Sequence, residues 1–256
     1  MGVTYNPRIV TDGLVLALDA GNTKSYPGSG TTWYDLSGNG YNATRTNVSG
    51  YGGQVVYNSG GYWDYTVNQP GVTSGATAGN GFTFDDLILP TTGSFTISTF
   101  ILRNPNVRGV GDRETIFSNA PSSDGWRFQI TNTGRLYYLI SGADQPNQEG
   151  SFNQGSFNLV DGNWHMATIV YDRAAQLGSY SLYGYVDGQL INSISINNGA
   201  TANTAFTSTN LPGVGYRGCC DVFAGYIAQL SAYNRALTAS EIQQNYNALK
   251  SRFINT

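Results

Sequence analysis

Acid–base chemistry in this chain would have to be built from three glutamates, Glu114, Glu149 and Glu241, the adjacent aspartates Asp85 and Asp86, and a single histidine, His165. Cleaving a glycosidic bond takes two carboxylates facing each other across it, about 5 to 9.5 Å apart. The glutamates are scattered along the chain, and neighbours such as Asp85 and Asp86 would face opposite sides of a strand. Glu241 closes Thr238-Ala-Ser-Glu241, a capping box in which its carboxylate is engaged by the start of a helix. One histidine cannot supply the usual zinc sites, and His165 reads as a framework residue hydrogen-bonded near a sheet edge. No Walker-type phosphate loop is present. These residues point away from catalysis and toward binding.

Binding residues are more plentiful. Asp19-Ala-Gly-Asn22 and Asp35-Leu-Ser-Gly-Asn39 offer hard oxygens at Asp19, Asn22, Asp35 and Asn39, the donor type calcium takes. The alternative is that these side chains fold their own loops as Asx-type turns. Sugar recognition needs aromatic faces for C–H stacking beside amides and carboxylates that read hydroxyls. The candidate platforms are Trp33, Tyr34, Tyr62, Trp63, Tyr65, Trp126 and Tyr216. The competing role for each is core packing, where most aromatics of a β protein go. Cys219 and Cys220, the only cysteines, are adjacent, and a bridge between neighbours strains the intervening peptide, so two free thiols are expected. The loop that holds them, Tyr216-Arg-Gly-Cys-Cys-Asp221, serves equally as a contact or as loop-end packing.

The elements that would position these residues are strands. The chain has 256 residues, 33 of them glycine, with 18 tyrosines and only 11% charged residues, a composition of short strands joined by turns. Phe95-Thr-Ile-Ser-Thr-Phe-Ile-Leu102 alternates and then becomes fully apolar, as a central strand does. Thr115–Ser118, Trp126–Ile130, Arg135–Ile140, Met166–Tyr171 and Ser181–Val186 read as further strands. Thr131-Asn-Thr-Gly134 and Asp187-Gly188 mark hairpin turns. The exception is the end, where Ile242, Tyr246, Leu249 and Phe253 share one helical face and predict a helix over 239–252. A single all-β domain spanning 1–256, with residues 1–8 as an arm, is expected. A net charge of −3 gives no basic footprint for nucleic acid. Leu14–Leu18 is too short to span a membrane, and residues 1–10 carry no export signal, so a chain made and kept in a cytosol is expected.

Three segments carry a family resemblance: Asp161-Gly-Asn-Trp-His-Met-Ala-Thr-Ile-Val-Tyr171, Leu182-Tyr-Gly-Tyr-Val-Asp-Gly-Gln-Leu190, and Phe223-Ala-Gly-Tyr-Ile-Ala-Gln-Leu-Ser-Ala-Tyr-Asn-Arg-Ala-Leu-Thr-Ala-Ser-Glu-Ile242. In this order they resemble the second half of a laminin-G-like domain of the concanavalin A-like lectin/glucanase superfamily. The opening strand followed by Asp35-Leu-Ser-Gly-Asn-Gly40 is similar to laminin-G-like domains of tailed-phage virion structural proteins. The resemblance implies a two-sheet antiparallel β-sandwich with a short C-terminal helix. It implies no catalysis, because the Glu-x-Asp-x-x-Glu strand of the laminarinase-type members is missing. It implies one loop-bound calcium, against which Ala228 and Gln229 stand where acidic residues are common. Trp164 takes a core position in the motif. The implied role is a non-enzymatic, surface-exposed lectin-like module of a phage virion, of fibre or adhesin type, that attaches to host-surface polysaccharide. The alternative is a capsid decoration or tail accessory protein that binds other virion proteins without sugar. A cellular glucan-binding protein comes third.

Overall fold

The computed structural model describes residues 8–46, 55–66, 81–86, 89, 93–107, 112–119, 125–142, 145–153, 155–176, 179–197, 211–216 and 221–254. The alternating runs fold as two eight-stranded sheets in which every described strand pair is antiparallel. The first sheet holds β1 (Leu14–Asp19), β4 (Val56–Asn58), β5 (Tyr62–Asp64), β7 (Phe95–Leu102), β12 (Trp164–Gln176), β13 (Ser179–Val186), β14 (Gln189–Asn197) and β16 (Tyr226–Tyr233). Its order is β14-β13-β12-β7-β16-β5-β4, with β1 also paired to β16. The second holds β2 (Thr32–Trp33), β3 (Ala43–Arg45), β6 (Phe82–Phe84), β8 (Arg113–Ser118), β9 (Gly125–Thr131), β10 (Leu136–Gly142), β11 (Gln145–Ser151) and β15 (Gly213–Val214). Its order is β11-β10-β9-β8-β15-β6-β3-β2.

Alternation along each strand builds two cores. Between the sheets lie Ile97, Ile101, Phe117, Phe128, Ile169 and Leu230, all buried. On the far side of the first sheet lie Phe100, Met166, Val170, Tyr185, Ala228 and Tyr233, covered by the C-terminal helix. This second cover explains the burial of β7 from Phe95 to Ile101. Its polar outward residues, Thr96 and Ser98, are buried too and find partners there: the Thr96 hydroxyl donates to the Arg235 carbonyl (2.9 Å) and accepts from Leu237 N–H (3.0 Å). Ser98 and Thr168 hydroxyls meet at 2.8 Å.

The helix is α1 (Ala239–Leu249), continued by a 3₁₀ turn at Lys250–Arg252. Thr238 caps it with the reciprocal Glu241 bond the sequence shows. Arg235 grips the Glu241 carboxylate at 2.6 and 3.0 Å, and this bond, with the cap, holds that carboxyl down to about 2. Buried Asn245 latches the helix to two segments: it accepts from Val10 N–H (2.8 Å) and donates to the Tyr233 hydroxyl (3.0 Å). Ile242, Tyr246, Leu249 and Phe253 face the sheet as their spacing requires.

Among the described residues one ion pair joins the two sheets. Arg103, just beyond β7, forks onto Glu114 of β8 through Nε and Nη2 at 2.6 to 3.0 Å, with side-chain exposures of 4% and 0%. Glu114 also accepts from Ala224 N–H (3.1 Å), and Arg103 Nη1 donates to the carbonyls of Asn104 and Val107.

Candidate functional site

Each of the three glutamates is paired with an arginine from another part of the chain: Glu114 with Arg103, Glu149 with Arg113, and Glu241 with Arg235. Glu149 lies on the outward side of the second sheet, where it accepts from the Tyr137 hydroxyl (2.7 Å) and from Arg113 Nη1 (3.1 Å). The tyrosine bond, followed by the guanidinium, holds the Glu149 carboxyl below its usual range. Burial first, and the Glu149 bond second, push Tyr137 up to about 12. A general acid needs its carboxyl raised toward neutrality; these partners work the other way. Asp85 and Asp86 stand exposed beyond β6.

His165 is held by two carboxylates. Asp187 and Gly188 both take positive φ (52° and 79°), the type I′ turn that joins β13 to β14. In that turn Asp187 Oδ1 accepts from Met166 N–H (2.8 Å) while Oδ2 meets His165 Nδ1 (2.7 Å). His165 Nε2 meets Asp161 Oδ1 at 3.1 Å. Both ring nitrogens are occupied, so the ring serves as a clamp joining the 161–171 and 182–190 motifs. Burial pushes its pKa down, but the Asp187 bond and the charges of Asp187 and Asp161 outweigh this and raise it overall. A histidine pKa raised by folding stabilises below the unfolded value, about 6.5, and loses that contribution as pH climbs through the folded value. We therefore expect His165→Asn to lower the melting temperature more at about pH 5.5 than at about pH 9; equal loss at both would contradict the clamp.

The four residues expected to offer calcium its oxygens have protein partners. Asp35 accepts five bonds: Oδ1 from the N–H groups of Ala17 and Ser37 (2.9 Å each), Oδ2 from Ser37 Oγ (2.6 Å), Gly40 N–H (3.1 Å) and Tyr41 N–H (3.2 Å). Asn39 donates to the carbonyls of Leu14 and Val15 (3.3 and 3.1 Å). Asp19 accepts from Gly21 N–H (3.0 Å) and is forked by Arg252 at 2.5 and 2.7 Å, and Asn22 accepts from Lys24 N–H (3.0 Å). These are Asx turns plus loop ties, the alternative the sequence left open. Among the described residues no group of three or more His, Cys, Asp or Glu could hold a metal. Asp35→Ala is expected to cost about 1 to 2 kcal/mol by leaving partly buried donors unmatched. Calcium and chelator should leave the wild-type melting temperature unchanged.

Five of the seven aromatics expected as sugar platforms point into the core instead. Trp33, Trp63 and Tyr65 are 0% exposed, Trp126 2% and Tyr216 7%. Trp33, Trp63 and Phe82 pack ring to ring at 4.7 to 5.8 Å between the sheets, and Trp126 lies 4.8 Å from Phe117. A side chain without exposed surface cannot present a face to a sugar. The exceptions are Tyr34, 43% exposed beyond β2, and Tyr62, half-buried. Cys219 and Cys220 lie outside the described residues.

A different aromatic surface emerges from strand register. Val56, Asp64, Tyr226, Leu102 and Trp164 are successive partners across β4, β5, β16, β7 and β12, so they share one side of the first sheet. That is the outer side, two residues beyond the Phe100 and Met166 pair beneath the helix. None of the five is fully buried, and Val56 is 48% exposed. Tyr62 joins from the same face of β5, its ring 4.7 Å from Tyr226 and 5.6 Å from Trp164, and Phe253 lies 5.2 Å from Trp164. All four aromatics are half-buried. Asp64 Oδ1 accepts from Thr66 N–H and hydroxyl (2.8 and 2.6 Å), and no bond to Oδ2 occurs among the described residues. Sequence reasoning had placed Trp164 in the core. It shares parity with buried Met166, and what leaves it open is the point at which the helix stops.

Comparison with known proteins comes to the same architecture. The family model Laminin_G_3, described as the concanavalin A-like lectin/glucanases superfamily, matches residues 74–243. Among solved structures, the botulinum neurotoxin serotype D binding domain aligns over 94% of this chain and 53% of its own, at 15% identity and a TM-score of 0.61. The binding domain of botulinum neurotoxin DC in complex with rat synaptotagmin II aligns over 93% and 52%, at 18% identity and 0.60. A botulinum neurotoxin type C structure, from work showing that its passage into cells depends on interaction with two ganglioside molecules, aligns over 93% and 52%, at 17% and 0.58. The chain thus spans about half the length of these structures, which share its fold. A search of curated proteins finds no match.

Proposed function

The chain belongs to the concanavalin A-like lectin/glucanase superfamily, and from that premise we propose that it is a non-catalytic, lectin-like module that binds polysaccharide through Tyr62, Trp164, Tyr226 and Phe253. The observation that carries this reading is the half-buried aromatic row on the outer side of the first sheet. Rings fixed by mutual contacts lose little freedom on binding and offer flat apolar faces to sugar C–H groups. Asp64, beside Tyr226 in register, supplies a carboxylate oxygen for hydroxyls. The pairing of every glutamate with an arginine suits binding without catalysis. The setting we propose is the surface of a phage virion facing host polysaccharide, on the strength of the Asp35-Leu-Ser-Gly-Asn-Gly40 loop resemblance.

Val56 and Leu102 in the same row favour a second reading, a protein partner such as a capsid or tail protein in a decoration role. Glycan-array screening of the wild type and Trp164→Ala, with antibody labelling of purified particles by electron microscopy, separates the two. Array signal lost in Trp164→Ala, with label at a tail or fibre tip, supports attachment. Label over the head without array signal supports decoration, and no label on particles removes the virion setting.

A further inference from the structure

A second concavity opens on the outward side of the other sheet, away from the aromatic row. The β9–β10 turn ends at Gly134, whose φ is +79° and whose carbonyl accepts from Leu159 N–H (2.9 Å). A Cβ there would fall 1.8 Å from Asn158 Oδ1, so glycine lets the 155–160 loop cross directly over the turn. Asn158 Oδ1 accepts from Val160 N–H (2.9 Å), which fixes its carboxamide. Between loop, turn and the end of β11 lies a groove of about 530 Å³, within the roughly 300 to 1,000 Å³ of small-molecule sites.

Its lining is hydroxyl and amide, from Thr131, Thr133, Ser151, Ser156 and Asn158, with Phe157 as the one aromatic edge. Its only charge is Arg135, exposed and without a side-chain hydrogen bond or ion pair among the described residues. The neighbouring cation, Arg113, stands opposite Thr131 in register but is already engaged by Glu149 and Tyr137. The groove therefore presents one unneutralised guanidinium among neutral donors and acceptors, in a chain whose net charge is negative.

We infer that this groove is a subsite for a carboxylate-bearing saccharide, a uronic acid unit of an acidic polysaccharide. The Arg135 fork matches a carboxylate bidentately, the hydroxyls and the Asn158 amide face ring hydroxyls, and Phe157 meets the C–H edge. The inference deepens the glycan-binding reading but uses a separate surface, so either can fail alone.

The test is calorimetric titration with an oligogalacturonate and with the same oligomer methyl-esterified, against the wild type, Arg135→Gln, Arg135→Lys and Trp164→Ala. The acid form should bind at least about tenfold more tightly than the ester and lose about tenfold or more in Arg135→Gln, with Arg135→Lys intermediate. Trp164→Ala should keep the acid preference. Arg135 is exposed, so its variants should fold, and matching melting curves check this. Equal binding of acid and ester, full acid affinity in Arg135→Gln, or no binding of the oligogalacturonate by the wild type would each overturn the inference. Acid binding that survives Trp164→Ala alongside no neutral-glycan binding would remove the aromatic-row reading and leave this one standing.

Discussion

Glu114→Ala is expected to lower the unfolding free energy by about 3 to 5 kcal/mol, the cost of breaking a buried ion pair from one side. The loss strands the Arg103 guanidinium, 4% exposed, and leaves the Ala224 N–H without its acceptor. Both consequences fall where the two sheets are tied together, so the denaturation midpoint should drop. A double replacement, Arg103→Met with Glu114→Leu, should recover much of the loss, because removing both charges also removes the desolvation they carry. Chemical denaturation followed by tryptophan fluorescence reads the effect. A Glu114→Ala midpoint equal to the wild type would contradict the burial and bonding described for this pair.

Trp164→Ala should weaken binding of a recognised polysaccharide by about thirtyfold or more, the loss typical when an aromatic anchor at an interface centre is truncated. Trp164 contacts all three of the other aromatics, Tyr62, Tyr226 and Phe253. Its removal takes one stacking face directly and loosens the other three. Trp126→Phe is the matched control: Trp126 packs on Phe117 and Phe95 between the sheets, so that change should lower stability and leave affinity intact. Binding isotherms and melting curves on both variants resolve the two effects. The reverse pattern, affinity lost with Trp126 and kept without Trp164, would return the site to the residues first expected from sequence.

Much of the frame was legible in the chain. The Thr238–Glu241 box marks the helix start, and the Ile242, Tyr246, Leu249, Phe253 spacing marks its buried face, because caps and 3.6-residue periodicity are local properties. Asp187-Gly188 reads as a hairpin for the same reason. The strand β11 was not legible: Gln145-Pro-Asn-Gln-Glu-Gly-Ser151 has no apolar alternation, and it pairs only as an edge strand, where proline is tolerated.

The site was the least legible part. Alternation separates the two faces of a strand but does not say which is covered, and the first sheet is covered on both. On β12, Trp164, Met166 and Val170 share a face, yet Met166 and Val170 lie under the helix and Trp164 lies past its end. Only long-range register decides this. The same holds for the Ala17 N–H bond to Asp35, whose other four bonds are local ones from Ser37, Gly40 and Tyr41, and for His165, whose partner Asp187 arrives through a hairpin.

The most direct test of the aromatic-row claim is a set of ¹⁵N–¹H spectra of the four tryptophan indoles, assigned by single Trp→Phe variants, with and without a polysaccharide found to bind. Trp33, Trp63 and Trp126 are buried and Trp164 is partly exposed. The account predicts that the Trp164 indole resonance shifts on saturation while the other three stay close to their free positions. Binding that leaves Trp164 unmoved would contradict it.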